Sequence, residues 1–266
     1  MTDQPQTWHY GLVARYWAEF NDGFRPHEIP YFQRFVERGQ PALDVACGTG
    51  RLLLPYLRAG LDVDGCDVSA DMIAACREKA DREGLAPHLS VTPMHELDLR
   101  RRYRTIYVCG AFGIGSTREQ DEQALHRFHD ALEPGGTLLL DTEVPYADTR
   151  LWKYWLAGER DVLPEPMPVP EKRQIASDGA EYALASRVLE VDPLDQRCAL
   201  EMRTELWREG ALEAEETRRI DLRYYFAEEL RLLVERAGFR DVILHGDHVE
   251  AVPTPEDEFV VVVAKR

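Results

Sequence analysis

The chain has 266 residues, of which 48 are acidic and 32 basic, so its formal net charge at pH 7 is −16. With 44% hydrophobic and 30% charged residues, the composition is that of a globular protein with a large core, not of a disordered chain or a coiled coil. The acidic balance argues against a nucleic-acid partner, because phosphate backbones are bound by clustered Lys and Arg side chains. The local basic run at 100–104 is interpreted as a solvated loop, and a small-molecule partner is expected.

Two features bear on location. The segment from Met1 to Pro5 lacks a basic start and an apolar run, and the apolar run at 259–264 is too short to cross a bilayer. The five cysteines are odd in number, contain no C-x-x-C pair and lie mostly in apolar runs, which favours reduced thiols and no metal site. We therefore expect a cytoplasmic protein with no membrane partner and no metal.

The first half of the chain alternates between helix and strand patterns. An aromatic-rich amphipathic helix is predicted over 8–20, with Leu12, Tyr16 and Phe20 on one stripe, and a second over 28–38. Strands are then predicted at 42–46, 61–66, 89–91, 105–109 and 137–141, and helices at 50–59, 71–83 and 119–132. Ser69 is the predicted cap of the second of these helices, and the residues at 134–136 are predicted to close the third. Such alternation predicts a parallel sheet covered by helices on both faces.

After Asp141 the pattern changes. A proline-rich stretch at 145–175 precedes three predicted strands at 180–191, 197–208 and 214–225, which form an antiparallel meander. A helix at 227–237 and strands at 239–246 and 257–265 complete the chain. We therefore predict an N-terminal helical cover (1–39), a core (40–144 and 226–266) and an inserted lid with the meander (145–225). The exposed edge of the meander is a candidate homodimer contact.

One segment, residues 43–51, carries the chemistry. Here a strand ends in a turn of small residues that opens a helix, with Asp44, Ala46, Gly48 and Gly50 at alternate positions. Small residues let a ligand approach the backbone closely, but the spacing fits neither the dinucleotide pattern G-x-G-x-x-G nor a P-loop. Asp67 ends the next predicted strand, where an acid can accept hydrogen bonds from both hydroxyls of a ribose. Together these residues indicate a nucleoside ligand without phosphates.

Three segments within 40–141 resemble, in order, the motifs of the class I S-adenosylmethionine-dependent methyltransferases. Residues 44–50 resemble the family's D-x-[GA]-x-G-x-G motif, residues 65–72 its acidic second-strand motif, and residues 132–138 its L-x-P-G-G-x-L signature. The likeness is greatest to the glycine N-methyltransferase-like and amino-sugar N-methyltransferase group. It implies an α/β fold with a Rossmann-like, doubly wound, seven-stranded sheet whose last strand is antiparallel, and S-adenosyl-L-methionine as the cofactor.

The resemblance also assigns cofactor-binding roles. Asp44 would support the loop, Asp67 would hold the ribose, and the adenine would pack on Val68 and Met72. The methionyl moiety would be lined by Ala46, Cys47, Gly48, Cys109 and Gly110. The site would be completed by Tyr10, Tyr16 and Gly50. Where relatives carry an acid after the third strand, this chain has Pro93. Adenine recognition is therefore expected to rest on the backbone at Met94 and His95, with Glu96 as a substitute acid. Tyr103 and Arg104 replace a frequent Phe-Asp pair, which affects local packing.

Acceptor and catalytic residues are less constrained. Glu143, just past the fifth strand, and Tyr16 are candidate catalytic residues, although Glu143 could also be a solvated loop acid. Trp17, Phe112, Tyr146 and Trp152 are candidate acceptor-binding aromatics, with core packing as the alternative. His126 and His129 are interpreted as surface or packing residues. The sequence also contains a polar cluster of His245, Asp247, His248 and Glu250, which we do not expect to bind a metal.

We therefore expect methyl transfer from S-adenosyl-L-methionine to a small molecule, with an amine favoured. Because a fold does not fix a substrate, O- or C-methylation of a natural product stays open. So does a protein that binds the cofactor without transferring its methyl group, such as a cyclase or a scaffold.

Overall fold

The computed structural model describes residues 7–170 and 172–266, so the segment from Met1 to Pro5 lies outside the described residues. Seven strands form one sheet in the order β10-β11-β5-β4-β1-β2-β3. Their bounds are β1 Ala42–Val45, β2 Val63–Asp67, β3 Leu89–Val91, β4 Tyr103–Val108, β5 Leu132–Glu143, β10 Arg240–Gly246 and β11 Phe259–Lys265. Strands β1 to β5 pair in parallel, and β11 pairs antiparallel with both β5 and β10. The predicted seven-stranded sheet with an antiparallel last strand is confirmed.

Helices cover both faces of this sheet. The helices of the described residues are α1 Leu12–Phe20, α2 Glu28–Arg38, α3 Leu53–Arg58, α4 Ala70–Arg82, α5 Arg118–Ala131, α6 Thr149–Trp152 and α7 Ala227–Arg236, and those that pack on the two faces of this sheet are α2 to α5 and α7. Ser69 caps α4 as predicted, since its side chain accepts a hydrogen bond from the N–H of Met72. None of the helices in the described ranges is long and apolar enough to span a membrane.

The two faces of the sheet explain the apolar runs in its strands. Leu43, Ile106 and Leu138 pack in a core with α5 and α7. Their chain neighbours, such as Tyr107 and Leu139, pack in a second core with α2, α3 and α4. Because side chains alternate across a strand, a sheet covered on both faces needs continuous apolar strands.

A second sheet lies between β5 and α7 in the chain. Its four strands are β6 Gln174–Ile175, β7 Glu181–Asp192, β8 Arg197–Arg208 and β9 Ala211–Arg223, all antiparallel in that order. The three long strands match the predicted meander, whereas β6 was not predicted. Helix α1 packs on this second sheet, because Leu12, Tyr16 and Phe20 lie against Tyr182 and Leu206 of the meander.

The sequence-based boundary before β5 was wrong. The residues at 134–136 were expected to close α5 as a turn, but α5 ends at Ala131 and β5 begins at Leu132. The pairing with β4 is interrupted between Tyr103 and Thr105, and this irregularity accommodates the proline and the glycines. The carbonyl of Gly136 accepts a hydrogen bond from the N–H of Arg266 (3.0 Å), which ties this stretch to the chain end.

Candidate functional site

The cavity that contains the motif residues lies at the carboxyl ends of β1, β2 and β4. Strand β1 is flanked by β4 on one side and β2 on the other, and open α/β sheets bind their ligands where the connections diverge in this way. The cavity has a volume of about 310 Å³, at the lower end of the range for small-ligand sites. Its walls come from the β1–α3 loop, the ends of β2 and β4, the start of α2 and the segment before α1.

Left-handed backbone conformations shape the β1–α3 loop. Ala46, Gly48 and Gly50 have φ angles of 60°, 55° and 88°, a region that glycine occupies without strain. A Cβ atom at Gly50 would lie 2.7 Å from Leu54 Cγ and 2.8 Å from Cys76 Sγ. Gly50 therefore lets the loop pack on α3 and α4, while Ala46 and Gly48 line the cavity.

Asp67 links this loop to the end of β2. Its Oδ2 accepts a hydrogen bond from the N–H of Gly48 (2.9 Å), and its Oδ1 accepts one from the N–H of Ser69 (2.8 Å). Only 8% of the residue is exposed, and burial raises its pKa although both hydrogen bonds act in the opposite direction. Each carboxylate oxygen keeps a further lone pair, so Asp67 can still accept hydrogen bonds from a ligand in the cavity.

Asp44 lies beneath the loop and is also buried. Burial raises the pKa of its carboxyl to about 8, while the nearby Arg51 guanidinium lowers it. Asp44 also lines the cavity.

The segment before α1 closes one side of the cavity. Thr7, Trp8 and His9 line it, together with Trp17 from α1. The segment is fastened to the start of α4, because the Ser69 hydroxyl donates to the carbonyl of His9. Trp8 Nε1 donates to His9 Nε2 (3.0 Å), and burial lowers the pKa of His9 to about 4. The imidazole is therefore neutral at pH 7 and accepts this hydrogen bond.

A further part of the cavity wall, here called its charged end, carries charges that no sequence motif indicated. Glu28, at the start of α2, is 1% exposed and forms an ion pair of 2.5 Å with Arg51. Arg51 also donates to the carbonyls of Phe24 (3.1 Å) and Arg25 (3.3 Å). The Cys109 thiol lies 3.3 Å from Glu28 Oε2. All five residues line the cavity. Only Cys109 was expected there from the resemblance, and the other four carry no motif or period because they meet only in the folded chain.

Most of the predicted cofactor residues are brought together. Those that line the cavity are Asp44, Ala46, Cys47, Gly48, Asp67, Val68, Met72, Met94, Cys109 and Gly110. Gly110 has a φ angle of 63° and open space where a Cβ would project, so its backbone is accessible from the cavity.

Four predicted cofactor residues lie outside the cavity lining. The Tyr16 hydroxyl accepts a hydrogen bond from Gln174 Nε2 (2.5 Å) and faces the second sheet, whereas its neighbour Trp17 faces the cavity. Consecutive helix residues point about 100° apart, so the two side chains cannot share one face. The Tyr10 ring lies under the Arg218 guanidinium (4.3 Å), and His95 Nε2 lies 3.2 Å from Gln120 Nε2 on α5. Gly50 has the packing role described above.

The predicted acceptor residues divide in the same way. Trp17 lines the cavity, whereas Phe112 is buried in the core against Tyr225. Trp152 stacks on Trp155 (5.4 Å between centroids) with Tyr146 at its edge (6.2 Å), away from the cavity lining.

Glu143, the predicted catalytic acid, lies 4.0 Å from the Arg25 guanidinium. Burial raises the pKa of its carboxyl. It does not line the cavity itself, but its partner Arg25 does.

The residues present fit S-adenosyl-L-methionine. The indole N–H of Trp17 is buried and has no hydrogen-bond partner in the described residues, so it is a donor available to a ligand. The accessible backbone of Gly110 offers a partner for an amino group, and the carboxylate of Asp67 offers one for a ribose. The guanidinium groups of Arg25 and Arg51 offer partners for a carboxylate.

Comparison with known proteins agrees with this geometry. Residues 42–136 match a family described as a methyltransferase domain. A ubiquinone biosynthesis O-methyltransferase of Nitrobacter winogradskyi is 31% identical over 120 residues, which cover 45% of this chain and 43% of that protein. The alignments to the first two curated relatives thus span 26% and 43% of their length.

Two solved structures are similar over most of both chains. The CcbJ methyltransferase of Streptomyces caelestis has a TM-score of 0.71 at 22% identity and covers 98% of each chain. The sugar N-methyltransferase KedS8 of a Streptoalloteichus species has a TM-score of 0.63 at 19% identity, over 90% of this chain and 87% of that chain. Residues 42–136 are therefore similar to a methyltransferase domain, and the chain as a whole shares its fold with these solved methyltransferases.

Proposed function

We propose that the protein transfers the methyl group of S-adenosyl-L-methionine to a small-molecule acceptor, with an amine as the favoured acceptor. The observation that carries the proposal is one cavity in which the β1–α3 loop, the Asp67 carboxylate and the segment before α1 meet. The cofactor would supply an electrophilic methyl group, so the protein has mainly to align the acceptor and exclude water.

In this proposal the ribose lies against Asp67, and the adenine lies between Val68, Met72 and Met94. The methionyl part runs past Cys109 and Gly110 towards Arg25. Among the described residues, the Arg25 guanidinium contacts acids at no less than 3.9 Å and 4.0 Å, so it is better placed than Arg51 to receive a carboxylate. Trp17 and Trp8 close the site, and their aromatic faces suit a sulfonium cation.

An amine acceptor is favoured by the acids at the charged end of the cavity. Glu28 lines that end, and Glu143 lies beside Arg25. A carboxyl group whose pKa is raised, as that of Glu143 is by burial, is a better proton acceptor than an ordinary surface acid. We therefore propose Glu143 as the group that takes a proton from an ammonium acceptor. Among proteins of similar fold, KedS8 is named a sugar N-methyltransferase, which agrees with this choice.

The main alternative is O-methylation, because a curated relative that matches 45% of the chain is named an O-methyltransferase. C-methylation, and cofactor binding without methyl transfer, are further alternatives. The test is the release of S-adenosylhomocysteine with a panel of amino sugars, other amines, phenols and carbon acids. Turnover with amines supports the proposal, and turnover with phenols alone supports the alternative. Tight cofactor binding without turnover on any acceptor contradicts methyl transfer.

We further propose that residues 1–39 and 145–225 form the acceptor-binding cover of a core made by 40–144 and 226–266.

The five free cysteines, four of them buried, agree with a reducing, cytoplasmic environment.

A homodimer through β9 is proposed from its charge pattern. Strand β9 is the edge of the second sheet, and antiparallel pairing of two copies about Thr217 would place Glu216 opposite Arg218 and Glu215 opposite Arg219. Light scattering tests this, because a dimer should become a monomer in a variant with both arginines changed to glutamate. A monomeric wild-type protein contradicts it.

A further inference from the structure

A second group of potential ligand atoms lies behind the charged end of the cofactor cavity. His27, Glu28 and His248 each offer one nitrogen or oxygen atom, and these atoms lie within 4.8 Å of one another. His27 and Glu28 stand at the start of α2, and His248 lies in the loop between β10 and β11. Two imidazoles and a carboxylate on one side of a site are a common ligand set for divalent transition metals.

His248 has the environment of a metal-binding histidine. Its side chain is fully buried, and its Nε2 lies 2.8 Å from Asp141 Oδ2, which is also fully buried. Its Nδ1 is buried and has no hydrogen-bond partner in the described residues. A carboxylate that fixes one ring nitrogen leaves the other free as a ligand, which is the usual arrangement around metal-bound histidines.

Glu28 keeps one oxygen available. Its Oε2 is engaged by Arg51 at 2.5 Å and lies 3.3 Å from Cys109 Sγ, whereas Oε1 has the Arg25 guanidinium only at 3.9 Å. Oε1 is therefore the less engaged oxygen of the carboxylate and the one offered to a metal ion. Arg25 is the cation with which a metal ion would compete at Oε1.

The site reaches solvent through one exposed ligand, His27. His27 and His248 line a surface groove of about 330 Å³, together with Tyr31, Arg34 and Glu37. Three protein ligands and a groove leave room for solvent to complete the coordination of an ion. The groove is distinct from the cofactor cavity, which Glu28 reaches from the other side.

We propose that His27, Glu28 and His248 bind one divalent transition-metal ion, such as Zn²⁺, and that Asp141 positions His248 for it. No metal was predicted from the sequence, because His248 was grouped there with its chain neighbour His245 and not with the residues of α2. In the structure His245 is engaged elsewhere, because its Nδ1 lies 2.8 Å from the Tyr31 hydroxyl. The ion would tie α2 to the β10–β11 loop. It would also hold Asp141, whose Oδ1 accepts the N–H of Gly110, against the cavity wall.

The experiment uses Co²⁺ as the probe, added to the full chain after treatment with a chelator. We expect one Co²⁺ per chain with visible d–d absorption, and its displacement by Zn²⁺. The substitution His27→Gln alters an exposed ligand and should weaken binding at least tenfold. Asp141→Asn should weaken it by about 10- to 100-fold. His126→Gln, on the exposed face of α5, is the matched control and should bind as the wild type does.

Equal Co²⁺ affinity in His27→Gln and the wild type, or the absence of saturable binding, would overturn the proposal. The readout is a metal spectrum, so it is independent of whether methyl transfer is observed.

Discussion

Replacement of Asp67 by asparagine tests the cofactor site most directly. Asparagine has the size of aspartate but offers one acceptor oxygen instead of two. In the structure the two oxygens accept the N–H groups of Gly48 and Ser69, so the amide NH₂ of asparagine would face one of these donors. In the proposed complex the same oxygens also receive the ribose hydroxyls, and only one would still find an acceptor.

The size of the effect follows from these contacts. A hydrogen bond to a charged group contributes about 1.5–3 kcal/mol, and each 1.4 kcal/mol is about tenfold in affinity. Asp67→Asn should therefore weaken S-adenosylhomocysteine binding by about 10- to 150-fold and lower the free energy of unfolding by a similar energy. Calorimetric titration gives the affinity, and urea denaturation gives the stability.

Asp64 offers the matched control. It lies on the same strand and has the same 8% exposure, but its Oδ2 accepts hydrogen bonds from Tyr103 and Arg101 (both 2.8 Å), outside the cavity. Asp64→Asn should reduce stability and leave the affinity unchanged. The reasoning would be refuted by an affinity of Asp67→Asn within threefold of the wild type, or by equal losses of affinity in both variants.

Three further predictions concern the loop and the cover. Gly50→Ala should destabilise the protein by about 1–3 kcal/mol more than Gly60→Ala, because both glycines have positive φ but only Gly50 is crowded. Urea denaturation measures the free energy of unfolding of both variants, and equal losses of stability would contradict the packing role of Gly50. Trp17→Phe should weaken S-adenosylhomocysteine binding, whereas Tyr16→Phe should leave it unchanged. Calorimetric titration measures both affinities, and a loss of affinity in Tyr16→Phe but not in Trp17→Phe would place Tyr16 at the cofactor. His9 has a pKa of about 4 in the closed segment against 6.5 in a free one, so the stability of the closed segment is present above pH 6.5 and is lost as the pH falls towards 4. Limited proteolysis before α1 should accelerate between pH 7 and pH 5 in the wild type and not in His9→Asn, and a rate independent of pH would contradict the assignment.

The parts of the fold that could be predicted are those set by local pattern. Alternating strand and helix runs from Ala42 to Asp141 define the parallel sheet, because both faces of its central strands are buried and each helix has one apolar face. The Ser69 cap and the glycines of the β1–α3 loop are likewise local. The stripe of Leu12, Tyr16 and Phe20 was also correct as a buried face. Its partner was not predictable, because a periodic pattern shows that a face is covered but not by what.

The charged end of the cavity illustrates the other limit. In the sequence, Glu28 is an acid in the first turn of a predicted helix, and Arg51 follows a turn that contains glycines. Neither position distinguishes these residues from ordinary surface residues. They are 23 positions apart, and only the packing of α2 on the sheet brings them to 2.5 Å. His248 and Asp141 are 107 positions apart and meet for the same reason. Contacts of this kind have no period and no spacing to detect.

The buried ion pair also affects how variants of this end must be interpreted. Glu28 is almost completely buried, and Arg51 joins it to the carbonyls before α2 as well as to the cavity. Removal of one partner of a buried pair costs about 3–5 kcal/mol, a large part of the stability of a typical domain. Loss of activity in an Arg51 variant would therefore reflect loss of fold as readily as loss of a ligand contact. Arg25 is more exposed, and its ion pairs with described residues are long (3.9 Å and 4.0 Å), so its substitution can separate a role in binding from a role in stability.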